Sequence, residues 1–149
     1  MSRHPTYSTV AVLIALMAAV VAGCARERRD RCAMCSKGRV ATVGVTLVSD
    51  GGQETSVCCA RCAVLYADRA ATDGTTITHM QTRDYETGEP VELADAFFVY
   101  GSDTIPCCVP SVLVVSSRES AEDLAAHGGG TVMDFKGLRA ALAPQTPGE

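Results

Sequence analysis

The chain has no tryptophan, only three histidines and only two lysines among 149 residues. It has no basic stripe, and its formal net charge is −4. A duplex or single strand of nucleic acid calls for clustered Lys and Arg, so a nucleic-acid partner is excluded from the reading. No uninterrupted apolar run reaches the roughly 20 residues that a membrane-spanning helix needs. The histidines look ordinary. His79 falls in a predicted strand and reads as a packed residue, and His127 falls at the C-terminal end of a predicted helix. What remains to carry chemistry is sulfur. There are eight cysteines, and seven of them fall into three tight groups: Cys32-Ala33-Met34-Cys35, Cys58-Cys59-Ala60-Arg61-Cys62 and Cys107-Cys108.

The eighth, Cys24, has a different setting. Arg3 and His4 precede a charge-free apolar run from Val10 to Ala22, which ends in Val21-Ala22-Gly23-Cys24. The run has the length of a secretory h-region, and its end resembles the bacterial lipobox, whose cysteine becomes the lipidated first residue. The expected organisation is a lipoprotein signal peptide over residues 1–23, a charged tether over 24–31, one metal-binding domain over 32–143 and a disordered tail over 144–149. Ala25, not Asp, follows Cys24. In a Gram-negative bacterium that favours the outer membrane, and from the leader and lipobox the expected location is the cell envelope, lipid-anchored and facing the periplasm or the cell exterior. Beyond the leader, 12 basic residues stand against 17 acidic ones, a formal charge of about −5, because Arg3 is the one basic residue lost from the 13. The expected partners are the membrane, through the lipid, and a protein that donates or accepts metal.

The domain reads as alternating strands and helices. Val40 to Val48 is β-branched and roughly alternating, Ser49-Asp50-Gly51-Gly52 is a turn, and Glu54 to Cys58 returns as the hairpin partner. Cys59 to Arg69 has helical spacing, with Cys62 in the first turn. Thr76 to Thr82 is a strand, and Glu86 to Glu89 a turn after which Pro90 limits pairing. Ala96 to Tyr100 and Val112 to Val115 are apolar strands around a loop over residues 101–110. Ser116 and Glu119 have capping-box spacing before a helix from about Arg118 to Ala126, with Gly128 as its left-handed stop. Thr131 to Phe135 is a last strand and Gly137 to Ala143 a short helix. Strand, strand, helix, strand therefore occurs twice, which predicts an α+β domain of two small related units.

Cys-x-x-Cys is a chelating turn, because two intervening residues let both sulfurs face one ion, at about 2.3 Å each for zinc. Twenty-two residues separate Cys35 from Cys58, and three separate Cys58 from Cys62. A knuckle, a hairpin and cysteines entering a helix resemble the small heavy-metal modules of the TRASH type. A helix N-terminus favours thiolate over thiol, which suits Cys59 and Cys62 as ligands. Soft sulfur selects Cu(I), Zn(II) or a toxic soft ion, and the thioether of Met34 argues for copper. The candidate ligands are Cys32, Cys35, Cys58, Cys59, Cys62, Cys107 and Cys108, with Met34; no catalytic residue is assigned. Two alternatives stay open. The cysteines could form disulfides in a metal-free interaction module, although seven thiols cannot all pair. An organomercurial-lyase-type enzyme would use two thiolates and an acid, but no motif ties an acidic residue to these cysteines.

The chain also resembles the NosL-type lipoproteins, copper-binding accessory proteins of nitrous oxide reductase. The resemblance rests on the lipobox, on Cys32-Ala33-Met34-Cys35 and on three further segments in order. Thr82-Arg83-Asp84-Tyr85-Glu86-Thr87-Gly88-Glu89 resembles a "tDYaTGe" turn. Phe97-Phe98-Val99-Tyr100-Gly101-Ser102 resembles a "wFVxGS" strand. The segment from Ser120 to Gly129 resembles an "eaeaFaxxhGG" helix end. The resemblance implies two small ββα-type units and a Cu(I) site. Two departures bear on the site. Ser36-Lys37 stands where the family has Gly-Met, and Cys107-Cys108 occupies a region where it has Met-Gly. Exchanging methionine for cysteine makes the site richer in thiolate and widens the candidate metals to zinc or another thiophilic ion.

Overall fold

The computed structural model describes Ile14, residues 31–38 and residues 40–143. Apart from Ile14, the expected signal peptide, Cys24 with most of the tether, and the tail over 144–149 lie outside the described residues. Among the described residues no helix is long and apolar enough to cross a membrane.

The first half is built on a hairpin. Strands β1 (Val45–Ser49) and β2 (Glu54–Val57) pair antiparallel, with Val45 opposite Val57 and Leu47 opposite Thr55. Val45 and Leu47 point into the core while Thr46 and Val48 are half-exposed, the two-residue alternation of a one-sided strand. The turn closes as expected at Gly52, whose φ of 74° suits glycine and whose N–H donates to the Ser49 carbonyl at 2.8 Å. The strand starts later than expected. Residues 40–44 form a turn, because the N–H groups of Val43 and Gly44 both donate to the Val40 carbonyl.

Helix α1 (Ala60–Thr72) follows β2, and β3 (Ile77–Arg83) then pairs with the other side of β1. A further strand, β4 (Pro90–Glu92), pairs with β3 at the edge and gives the order β2-β1-β3-β4. Pro90 was expected to limit pairing; instead it is the first residue of an edge strand, opposite Arg83, a position where the missing N–H is tolerated.

The second half repeats the plan after a short 3₁₀ turn at Leu93–Asp95. Strand β5 (Phe97–Tyr100) is central, β6 (Val112–Val115) lies on one side, and after helix α2 (Arg118–Gly128) strand β7 (Thr131–Asp134) lies on the other. The order β6-β5-β7 matches β2-β1-β3, so both halves are ββαβ with the first strand in the middle. Helix α3 (Phe135–Leu142) completes a mixed α and β fold with two antiparallel sheets.

Helix ends differ from expectation for local reasons. The N-cap of α2 is Ser117, whose Oγ accepts the Ser120 N–H at 3.1 Å. Ser116 is engaged elsewhere: its side chain bonds to Asp84, and its N–H donates to Asp84 Oδ2 at 2.6 Å. The left-handed glycine that ends α2 is Gly129, with φ of 67°, and Gly128 is the last helical residue. Helix α3 begins at Phe135, not Gly137, because Asp134 caps it by accepting the Gly137 N–H.

One core joins both halves. Val45, Leu47 and Val57 from the first sheet pack with Phe98, Val112 and Val114 from the second and with Leu138 of α3. The opposite face of the second sheet, with Val99, Leu113 and Val115, packs on Ala121 of α2. Strand β6 is therefore covered on both faces, which is why Val112 to Val115 reads as a continuous apolar run. The end of β3 is tied to the end of β6: the Tyr85 N–H donates to the Val114 carbonyl at 2.8 Å, beside the Asp84–Ser116 bond.

Candidate metal centre

Three segments converge on one buried cluster of sulfurs. The first is the turn between Arg31 and Gly38, which pair as an isolated antiparallel bridge. Inside it the Cys32 N–H donates to the Lys37 carbonyl at 2.8 Å, and the Ser36 N–H donates to the Cys32 carbonyl at 2.9 Å. The Met34 and Cys35 N–H groups point at Cys32 Sγ, at 3.4 and 3.5 Å. The Ala33 N–H donates to the Ser56 carbonyl, so the knuckle is fastened beside β2 just before Cys58. Ser36 adopts φ of 59°, the left-handed conformation that glycine takes most readily.

The second segment is the junction of β2 and α1. Cys59 is the N-cap residue, with extended backbone. Cys58 precedes the N-cap and Cys62 lies in the first turn of α1, and their sulfurs lie 3.5 Å apart. The third segment is the loop between β5 and β6. Its base is closed by the Gly101 N–H donating to the Ser111 carbonyl and by Ser111 Oγ donating to the Ser102 carbonyl at 2.7 Å. Ser102 Oγ donates in turn to the Gly128 carbonyl of α2 at 3.1 Å. These two buried serines hold the loop that delivers Cys108. Sequence reasoning noticed Ser102 only as part of a strand pattern and missed Ser111 altogether; a buried serine flanked by apolar residues was the available signal.

Cys58 Sγ is the hub. It lies 3.5 Å from Cys35, 3.5 Å from Cys62, 3.6 Å from Cys108 and 3.9 Å from Cys59. Two sets of four sulfurs each lie within 4.8 Å of one another: Cys32, Cys35, Cys58 and Cys62, and Cys58, Cys59, Cys62 and Cys108. A tetrahedron of metal–sulfur bonds of about 2.3 Å has edges of about 3.8 Å, so both sets have the spacing of a thiolate site. Cys35 is exposed and the other five sulfur residues are buried. Cys107 is half-buried and belongs to neither set; its Sγ lies 3.7 Å from Cys108 and it stays within interaction range of Cys58. Met34 packs half-buried against the same core. All seven described cysteines are free thiols, so the disulfide alternative has no bond to support it among the described residues. Neither set includes a carboxylate or a histidine. His79 is exposed beside Glu92, and His127 is exposed with Nδ1 2.8 Å from the Asp123 carbonyl.

The thiols polarise one another. A hydrogen bond from Cys62 outweighs burial and, with the Cys62 N–H, holds Cys59 down at about 5. That bond pushes Cys62 upward, and burial adds to it. Burial pushes Cys58 upward as well, with Cys107 and the Cys59 charge adding to it. Cys107 is raised to about 12, burial being the main cause. At Cys35 burial acts upward, but the Lys37 N–H and the neighbouring sulfurs outweigh it and lower the thiol to about 7. The thiolate form is thus favoured most at Cys59, and the thiol form at Cys58, Cys62 and Cys107. A soft cation can displace those protons, and an all-sulfur set selects Cu(I), Zn(II) or a similar ion over hard cations. One cation of the protein stands close by in the chain. Arg61, between Cys59 and Cys62, keeps a buried Nε with no hydrogen-bond partner among the described residues.

The sequence profile of the NosL family matches residues 24–143. The chain is similar to the HTH-type transcriptional repressor CutR of Bacillus subtilis (strain 168), with 28% identity over 106 residues. That match covers 70% of this chain and 54% of the repressor, so the chain spans about half the length of this curated relative. Among solved structures it is similar to the crystal structure of the copper chaperone NosL from Shewanella denitrificans, with a TM-score of 0.61 and 16% identity. The superposition covers 71% of this chain and 87% of the other, and what it carries is the fold.

Proposed function

This chain belongs to the NosL family, and on that premise we propose that it is a lipid-anchored protein of the cell envelope that binds Cu(I) through its cysteine cluster. The bound ion is delivered to a partner protein or sequestered. The observation that carries the reading is the position of Cys58, whose sulfur lies within 3.6 Å of sulfurs from the knuckle, the helix start and the distant loop. Three separated segments bring soft ligands to one buried point, a layout suited to holding a thiophilic ion. Copper is favoured over zinc by the copper chaperone with which the chain shares its fold and by the Met34 thioether packed beside the site. The role is binding and transfer, without catalysis. Cys35 is the exposed member of the first set, and so the sulfur at which an acceptor ligand reaches the ion. Having Cys108 in place of a weaker thioether favours retention over rapid release.

The lipid anchor is supported by Val21-Ala22-Gly23-Cys24 and by a family match that starts at Cys24. The metal reading is tested by competition between the full-length protein and a chromophoric Cu(I) chelator, under anaerobic, reducing conditions. Tight Cu(I) binding that is lost in the Cys58→Ser/Cys62→Ser variant is expected. A wild-type protein that takes neither Cu(I) nor Zn(II) from the chelator would overturn the reading.

A further inference from the structure

Building on the reading that the cluster binds Cu(I), we propose that it holds two ions, with the Cys58 and Cys62 thiolates bridging them. Cys32 and Cys35 are the terminal ligands of the first ion, and Cys59 and Cys108 those of the second.

A single ion accepts at most four of these sulfurs in a closed thiolate site. The structure supplies six, arranged as two sets of four, each compact enough for one ion, and the sets overlap in Cys58 and Cys62 alone. The shared pair is the central one. Cys58 contacts Cys35 from the first terminal pair at 3.5 Å and both Cys59 and Cys108 from the second, at 3.9 and 3.6 Å. Cys62 lies 3.9 Å from Cys108. A thiolate sulfur has lone pairs for two metals, so a sulfur flanked by two sets is placed to bridge. Cys58 and Cys62 are both fully buried, which keeps water out of the space between the two ions.

The balance of charge points the same way. Each Cu–S bond that replaces an S–H releases its proton to solvent, and the cluster becomes net negative as thiolates outnumber the monovalent ions. A buried anion needs a compensating charge. Arg61 stands between Cys59 and Cys62 in the chain, and its buried Nε has no hydrogen-bond partner among the described residues. An anionic two-ion cluster gives that guanidinium a charge to neutralise.

The test is the Cu(I) stoichiometry of the full-length protein, together with X-ray absorption at the copper edge. Two Cu(I) per chain and a copper–copper scattering shell are expected. The Cys59→Ser/Cys108→Ser variant should fall to one Cu(I) and lose that shell, and Cys58→Ser should lose the shell. Saturation of the wild type at one Cu(I) without copper–copper scattering overturns the two-ion site and leaves the single-ion function standing. Wild type that binds no Cu(I) sinks both. A Cys59→Ser/Cys108→Ser variant that keeps two ions and the shell overturns the assignment of the second pair. The wild-type measurements need no variant to fold.

Discussion

Cys58 Sγ and Cys108 Sγ lie 3.6 Å apart, although fifty positions separate them in the chain. The contact joins the two halves of the molecule at the sulfur cluster, just as Asp84 joins them at the strand ends. It also separates two adjacent cysteines in role. Cys108 enters a four-sulfur set, while Cys107 stays at its margin with its sulfur 3.7 Å from that of Cys108.

Cys108→Ser is therefore expected to weaken Cu(I) binding by more than about 100-fold, and Cys107→Ser by about 10-fold or less, the scale of an outer-shell loss. Chelator competition on each variant measures the difference. Equal losses would place both sulfurs on the metal.

Cys35 should be the first cysteine to react with iodoacetamide in the metal-free protein. It is exposed, and its thiol is lowered to about 7, so its rate should rise with pH and reach half its plateau near that value. Cu(I) should protect it. Mass spectrometry that finds Cys58 or Cys62 modified first would contradict the burial seen here.

Ser36→Gly should stabilise the metal-free domain. Ser36 sits at φ of 59°, where a non-glycine residue is strained, and the net gain after glycine's extra chain entropy is about 0.5–1 kcal/mol. An upward shift of the denaturant midpoint measures it; a lower midpoint would mean that the serine is held there by something glycine cannot replace.

Asp84 should matter for stability and for its acid dependence. Burial raises its carboxyl, but the N–H groups of Thr87, Ser116 and Glu86 outweigh that and hold it at about 2, below 3.8. A carboxyl lowered on folding stabilises the native state above its unfolded value. That contribution, about 2 kcal/mol, disappears as pH falls from near 4 through about 2. Asp84→Asn should cost about 1–3 kcal/mol at neutral pH. It should also flatten the midpoint-against-pH curve in that acid window; an unchanged curve would remove Asp84 from the account.

Cys24→Ser should leave the leader uncleaved and the protein without lipid, read by the mass of the membrane fraction's product. Normal processing to a soluble form would assign an ordinary signal peptide instead.

Much of the fold was readable because it rests on local patterns. The Ser49–Gly52 turn, the helical spacing after Cys59 and the apolar run of β6 each depend on neighbours within a few residues. Where expectation failed, a distant partner had intervened. Ser116 could have capped α2 by spacing alone, but its side chain and its N–H both bond to Asp84, 32 residues away. Pro90 looked like a stop until β3 offered an edge at which a missing N–H costs nothing.

The sequence by itself determined the supply of ligands and their local pairing. Cys-x-x-Cys forms its own chelating turn, and Cys58 and Cys62 stand close together in the chain on either side of a helix start. The tertiary structure alone decided which pairs meet each other. It placed the knuckle against β2, selected Cys108 over Cys107 and put Cys58 at the centre. Those choices depend on how two sheets share one core and on a loop held by Ser102 and Ser111. Burial of apolar surface is non-directional and sums over many distant residues, so the spacing of the cysteines carries no record of it.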